Sequence, residues 1–548
     1  MSADGEVLRA SRAMAMGTVL SRLTGMVREP VVGAVLGTGA LADAYGIANT
    51  VPNIFYILLV GGVINAVFVP QLVRHMADDS DAGQAYADRL LTAVGGVLLA
   101  VTVAVVVAAP LIADLYTAAC TSERQVEVAT ILARYCLAQV FFYGVFTMYQ
   151  QVLNSRGSFV APMYAPILNN AIVIVVFVIA MVTMESHPTI DSVTDSQLRF
   201  LGLGTTAGIV AQALILVPVA AKVGYRFQLR RDLRGQGLGK AFVLAKWTVL
   251  FVLTNQVTYA VIVRLAGQNN ACPPEGVPPD QAAANVGFAT YQRASLLFML
   301  PHSIITVSIV TALLPGLARA AHAGSLGTVG RDVGQGMRTV AALVTPAAVG
   351  FVVMGPAIGR LLYGWGATTP DEASWIGATL QALSVGLLPF TLFYVLLRGF
   401  YALEDTRTPF RINLVLNALN LVFAVVLFVL LTGDDRVPGL GLALALAYLF
   451  TVMLTWHVLS GRVGSLDTYF TVRAMVRCLI AAGLAYAVAG VGLYAIRELV
   501  PPGHVADLLT VSVGLTVSSV AYVWLTARMR VPEVDDALAP ILRRLHRR

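Results

Sequence analysis

Long apolar runs separated by short polar connections recur along the chain from residue 13 to residue 528. A membrane-spanning helix takes about 20 predominantly apolar residues. Fourteen segments meet that length: 13–37, 45–72, 90–115, 127–153, 162–184, 200–221, 241–267, 285–315, 338–363, 374–401, 410–432, 437–460, 473–496 and 505–528. The pattern therefore predicts an all-α polytopic membrane protein of about 14 transmembrane helices. Several runs are long enough to tilt or to extend past the bilayer. The polar opening MSADGEVLRASR leads straight into a long apolar run, which is not the form of a cleavable signal peptide.

The connections set the orientation. The loop after the sixth helix carries Lys222, Arg226, Arg230, Arg231, Arg234 and Lys240, and later even-numbered connections carry Arg319, Arg331, Arg407 and Arg462. The C-terminal tail adds Arg543, Arg544, Arg547 and Arg548, whereas the odd loops ESHPTIDSVTDSQ and GQNNACPPEGVPPDQ hold no Arg or Lys. Basic residues mark the cytosolic side, so both termini are expected in the cytosol.

The chain also repeats itself. Residues 53–74 resemble 298–319, with Pro70 on Pro315 and Arg74 on Arg319. Residues 153–170 resemble 400–417, with Pro162 on Pro409 and Asn170 on Asn417. The offsets are 245 and 247 residues. Two six-helix lobes follow, with two extra helices after them. The expected division is 1–222 for the first lobe, 223–240 for a basic cytosolic linker, 241–460 for the second lobe, 461–530 for helices thirteen and fourteen, and 531–548 for a basic tail. Six is even, so the lobes enter from the same side and form a parallel repeat, a common transporter architecture with its site between the halves.

Composition agrees. The chain is 57% hydrophobic and 12% charged, against about 25% charged in soluble domains. The net charge of +7 rests on 34 Arg and 3 Lys; the cytosolic loops explain it, and no nucleic-acid motif is present. Four cysteines show no CxxC and no metal spacing. Cys136 and Cys478 lie in apolar segments. Cys120 and Cys272 fall in loops assigned outside, where a disulfide and two free thiols both remain open. No metalloprotease, nucleophile-elbow or Walker motif occurs, so the chain reads as a non-enzyme without a cofactor.

Charge inside the spans is the informative feature, because each such residue costs at least about 2.5 kcal/mol on insertion scales. Arg22, Arg28, Arg264 and Arg293 lie within predicted spans. Arg134 and Arg398 are nearer the ends, where snorkelling accounts for them; Arg264 has the same alternative. Arg22 and Arg28 are about 120° apart on a helix, and Gly25 between them, with Pro30 just after, permits a bend. Arg28 can instead pair with the adjacent Glu29 as structural glue. Arginine binds phosphate or carboxylate bidentately and stays charged, so arginines facing a cavity imply an anion such as pyrophosphate. Asn49 and Asn53 share a helix face. They and Asn65, Asn169, Asn170, Asn255, Gln256, Asn413, Asn417 and Asn420 read first as interhelical hydrogen-bonding residues, with sugar or headgroup contact as the second reading. Gly61, Gly62, Pro52, Pro301 and Pro389 interrupt long helices and mark hinges. His302, beside Pro301, reads as a packed helix residue.

The stretch SRLTGMVREPVVGAVLGTGALADAYGIANTVPNIFYILLVGGVINAVFVPQLVR resembles the opening of the MurJ (MviN) family, flippases that move lipid II across the bacterial cytoplasmic membrane. The resemblance covers nearly the full chain. It includes SRxxGxxR, the LADA segment, PN running to FVP, R-x-x-x-x-F-x-x-P from Arg293 to Pro301, and D-x-x-TP from Asp405 to Pro409. It implies that Arg22, Arg28 and Arg293 face a central cationic cavity that holds pyrophosphate. It implies further that Asp43 is the family's acidic residue of the first hairpin, and that helices thirteen and fourteen form a groove for the lipid tail. The chain departs from the family where many members carry a pair of arginines and then a glutamate. Here those positions are Tyr56, Ile57 and Gly61, so one cavity arginine is missing. The seventh helix offers Asn255 where some members have a sodium-binding Asp; coupling to membrane potential is expected rather than to sodium. The implied partners are lipid II, membrane lipids and cell-wall synthesis machinery. Rival readings are a flippase for another polyprenyl-linked glycan, a cation-coupled drug exporter, and a non-transporting cell-wall scaffold; buried Arg outnumbering buried Asp and Glu counts against the exporter.

Overall fold

The computed structural model describes residues 3–58, 83–117, 121–230, 232, 238–271, 285–536 and 539. Among them there are helices and no strands. In chain order they are α1 (Ala3–Leu36), α2 (Ala40–Leu58), α3 (Gln84–Val107), α4 (Ala109–Tyr116), α5 (Glu123–Cys136), α6 (Gln139–Ser155), α7 (Val160–Thr183), α8 (Asp195–Leu214), α9 (Leu216–Lys222) and α10 (Leu238–Ala271). There follow α11 (Phe288–Pro301), a π-helical turn (His302–Thr306), α12 (Val307–His322), α13 (Leu326–Tyr363), α14 (Pro370–Ser384), α15 (Leu387–Ala402), α16 (Arg407–Leu430), α17 (Arg436–Val463), α18 (Thr468–Leu499) and α19 (His504–Arg528).

Eleven described spans are long and apolar enough to cross a membrane, or twelve when the bent pair α14–α15 counts as one. Those twelve match the expected spans from 90–115 onward. The fourteen-span count is not reached. The two remaining candidates are 13–37, interrupted by Arg22, Arg28 and Glu29, and 45–72, which runs beyond the described residues. One boundary moves far: α13 begins at Leu326 rather than 338 and holds 38 residues. At 1.5 Å per residue it is about 57 Å long, well beyond the hydrocarbon thickness.

The chain packs as two units, 1–273 with 365–368, and 274–364 with 369–548. In the first, α1 lies along α7, α7 along α8, and α2 along α5; α10 packs against α2 and α4. A buried cluster around Tyr86, Leu90, Phe146, Leu153 and Tyr225 joins α3, α6 and the chain after α9. In the second unit α13 is central and contacts α14, α15, α18 and α19. Its Gly355-x-x-x-Gly359 face meets α14 so closely that a Cβ on Gly377 would lie 2.2 Å from the Gly355 carbonyl oxygen. Small residues that permit such backbone approach substitute for the hydrophobic drive that lipid does not supply between helices.

The internal repeat is visible in the helix ends. The span α5–α6 breaks at 137–138 and α14–α15 at 385–386, the latter with a bend of 48°. Glu123 and Pro370, Ser155 and Ala402, Val160 and Arg407, and Thr183 and Leu430 all coincide at an offset of 247 residues. Pro162 and Pro409 thereby fall at the same place in the first turn of α7 and α16, where a missing N–H costs no helical hydrogen bond.

Candidate functional site

The sequence carries its charge on α1, and the structure shows what surrounds it. α1 is continuous from Ala3 to Leu36, through Gly25 and Pro30. Arg28 donates from Nε (3.0 Å) and Nη2 (2.5 Å) to Glu29 Oε1, and from Nη1 to Asn170 Oδ1 at 3.2 Å. The pairing with Glu29 is thus present, and it uses one carboxylate oxygen. Asn170, on α7, also donates from Nδ2 to the Ser21 carbonyl (3.2 Å) and to Thr24 Oγ1 (2.9 Å). These three partners fix its amide orientation: the nitrogen faces two acceptors and the oxygen faces a cation. Gly25 sits beside this cluster; a Cβ there would be 3.6 Å from Asn170 Nδ2, an ordinary contact.

Arg22 is one and two-thirds turns before Arg28. It is exposed and makes no hydrogen bond or ion pair among the described residues. Asn53, on α2, is likewise exposed without a hydrogen bond. Asn49 is satisfied inside unit 1: Nδ2 donates to the Tyr45 carbonyl at 2.9 Å, and Oδ1 accepts from Gln139 Nε2 at 3.4 Å. Tyr56, where the resemblance led us to expect an arginine, packs its ring 5.0 Å from that of Tyr143.

Asp43, in the first turn of α2, is fully buried. Its Oδ2 accepts from Asn270 Nδ2 at 2.9 Å, and the same amide donates to the Thr38 carbonyl at 3.2 Å. Asn270 falls in a stretch read from sequence as an outer loop. Instead α10 continues to Ala271, so its last turn reaches the start of α2. An Asn pair ending a 34-residue helix was the available signal. Arg264 donates to the Leu115 carbonyl at 3.0 Å, tying α10 to α4.

Arg293 belongs to the second unit. It is 3% exposed on α11, and its guanidinium carbon lies 5.8 Å from the Tyr363 ring centroid. The expected interruption at Pro301 coincides with the π-helical turn that follows it. His302, the first residue of that turn, is buried between Phe390 (4.3 Å) and Tyr394 (4.7 Å). π-turns within long helices recur at functional sites. Arg398 stacks on Tyr394 at 4.2 Å. Gly61, Gly62, Cys120 and Cys272 lie outside the described residues. No group of three metal-ligating side chains occurs among the described residues.

This arrangement gives unit 1 an arginine held by one carboxylate and one amide, and a second arginine available to a ligand. Chemically it can exchange one anion for another. The profile of the family described as "Lipid II flippase MurJ" matches residues 32–514. A probable lipid II flippase MurJ of Rhizobium meliloti is 29% identical over 75% of this chain and 73% of its own length. The lipid II flippase MurJ of Burkholderia cenocepacia is 25% identical over 74% and 75%. Among solved structures, a lipid II flippase MurJ in an inward closed conformation has a TM-score of 0.72, at 17% identity, over 94% of this chain and 99% of its own. An inward-facing MATE multidrug transporter of the MOP superfamily has a TM-score of 0.62, at 15% identity, over 82% and 96%. The fold is that of this superfamily, and with the profile matching most of its length, the chain belongs to the lipid II flippase MurJ family.

Proposed function

We propose that the chain moves lipid II from the inner to the outer leaflet of the bacterial cytoplasmic membrane by alternating access, supplying peptidoglycan synthesis, with both termini in the cytosol. The observation that carries this reading is the family match over residues 32–514, beside a first helix that carries Arg22 and Arg28 just ahead of it. Arg22 and Arg28 are the anion ligands of unit 1, and Arg293 is that of unit 2. In the ground state Glu29 occupies Arg28. The pyrophosphate displaces that carboxylate, and its return releases the cargo. Such an exchange keeps the Arg28 guanidinium paired throughout, where an unpaired desolvated charge would cost several kcal/mol, and competition from Glu29 keeps binding weak enough for release.

Pyrophosphate moving outward travels down an inside-negative potential, at about 2.3 kcal/mol per charge per 100 mV. Membrane potential therefore suffices as a driving force without a cation site. The π-turn after Pro301 and the Gly25 region are the flexible points of the cycle.

The test is growth of a strain that depends on this chain. Arg22→Ala, Arg28→Ala and Arg293→Ala each abolish growth while the protein still inserts in the membrane. Normal growth on any of them removes that arginine from the site, and normal growth on all three overturns the reading.

A further inference from the structure

The pyrophosphate reading gives Arg22 and Arg28 a ligand but leaves the surface between them unassigned. The two arginines are about 9 Å apart along the axis of α1. Arg28 lies within electrostatic reach of Tyr143 on α6, and Arg22 within reach of Tyr56 on α2. The two tyrosine rings meet at 5.0 Å with 38° between their planes. Arg28, Tyr143, Tyr56 and Arg22 therefore follow one another across unit 1.

Tyrosine hydroxyls that leave solvent usually find a partner. Two in the same unit do: Tyr45 shares a hydrogen bond with Thr205 Oγ1 at 2.9 Å, and Tyr225 donates to Asp88 Oδ1 at 3.0 Å. The Tyr56 and Tyr143 hydroxyls have none among the described residues, and both oxygens stay accessible although the rings are half-buried. Tyr56 is held in place by packing against the buried cluster around Tyr86, Leu90 and Phe146. The pair is thus a fixed aromatic surface with two open hydroxyls. Asn53 lies about one helical turn before Tyr56 on the same face of α2. It is exposed and its amide has no hydrogen bond among the described residues. Asn49, a turn earlier, has its amide satisfied inside unit 1.

This chemistry is not that of a second phosphate ligand. A phenol is neutral at physiological pH and adds no charge to match an anion. An acyl chain fits no better, because two hydroxyls and a primary amide would lose water without replacement. A pyranose fits both features. Its C–H face can lie on an aromatic ring, while its hydroxyl and acetamido groups pair with hydroxyls and an amide.

We propose that Tyr56 and Tyr143, with Asn53, form the subsite for the sugar joined to the pyrophosphate, and so set a preference for a glycosylated carrier lipid over the bare one. The assignment rests on the pyrophosphate reading of Arg22 and Arg28 and adds the part of the cargo next to it. The arginines alone cannot make this distinction, because the pyrophosphate and the lipid tail are common to both lipids.

The experiment measures binding of two lipids to the full-length protein in phosphatidylcholine nanodiscs. One is a polyprenyl pyrophosphate, and the other is the same lipid carrying one N-acetylhexosamine. Wild type binds the glycosylated lipid more tightly. Tyr56→Phe with Tyr143→Phe keeps both rings, and with them the packing of α2 on α6, and lowers that preference by about tenfold through the lost hydrogen bonds. Tyr56→Ala removes the ring as well and abolishes the preference. A preference unchanged in both variants makes the pair a packing contact and overturns the subsite. Equal binding of the two lipids by wild type also overturns it, and leaves the arginine reading standing. Binding of neither lipid overturns the arginine reading itself, and the subsite with it.

Discussion

Asn170 holds Arg28 from the neighbouring helix. Its Oδ1 accepts from Arg28 Nη1 at 3.2 Å, while its Nδ2 binds Ser21 and Thr24 on the helix that carries Arg28. One amide thus sets both the packing of α7 on α1 and the direction of the guanidinium. Asn170→Ala removes all three bonds. Interhelical hydrogen bonds in membranes contribute about 0.6–2 kcal/mol, so the variant should lose about 1–2 kcal/mol and most of its activity. Thermal unfolding in detergent checks the first and complementation the second. An unchanged midpoint would remove Asn170 from the account.

Glu29 competes with any anion for Arg28. Glu29→Gln leaves a neutral partner of the same size and frees the guanidinium. Binding of a polyprenyl pyrophosphate to purified protein in nanodiscs should tighten several-fold, while turnover falls because release slows. Weaker binding would mean that Glu29 assembles the site rather than guarding it.

Gly366 sits where a side chain has no room. Its φ is +61°, and a Cβ there would lie 2.2 Å from the Ala34 carbonyl oxygen. The adjoining Ala367 N–H donates to that oxygen at 2.8 Å, and Thr368 Oγ1 donates to the Gly33 carbonyl at 2.8 Å, so residues 366–368 cap the end of α1. Gly366→Ala should cost about 1–3 kcal/mol through strain alone. Gly25→Ala, whose Cβ would meet Asn170 Nδ2 at an ordinary 3.6 Å, should fold normally. Equal midpoints for the two variants would contradict the geometry.

Asp405 explains the D-x-x-TP element. Its Oδ1 accepts from the N–H groups of Arg407 and Thr408 at 2.9 Å each, which caps α16, and Arg462 at the end of α17 binds Oδ2 and Thr408 Oγ1. Burial alone would raise its pKa. The Thr408 hydrogen bonds and the Arg462 pair outweigh it and hold the carboxyl below its ordinary value of 3.8. A depressed folded pKa means that the stabilisation is complete above the unfolded pKa and disappears as pH falls through the folded one. Wild type should thus lose stability relative to Asp405→Asn only below about pH 4. A gap between the two that is unchanged from pH 7 to pH 3 would contradict this role.

Much of this was legible in the sequence, and the rest has identifiable causes. Apolar runs located twelve spans because length alone defines them. The break at 385–386 carries Gly386 and Pro389 as signals, but its repeat counterpart at 137–138 is Leu137 and Ala138, neither of which marks a break. The Arg28–Glu29 pair was visible as one of two readings, since the residues are adjacent. Asn170 as the third member was not, because its contact crosses 142 residues of chain. Asn270 was hidden by polarity: GQNNA reads as loop, and its bonds to buried Asp43 and the Thr38 carbonyl join two segments more than 220 residues apart in the chain.

The central claim is that this chain exposes lipid II on the outer face of the membrane. The direct measurement is the lipid II pool cleaved by a lipid II-degrading toxin added outside cells, before and after the chain is depleted. The account predicts that cleavage collapses while total lipid II rises, and that wild-type chain restores exposure but Arg28→Ala does not. Undiminished cleavage after depletion, in cells with no second flippase, would contradict it.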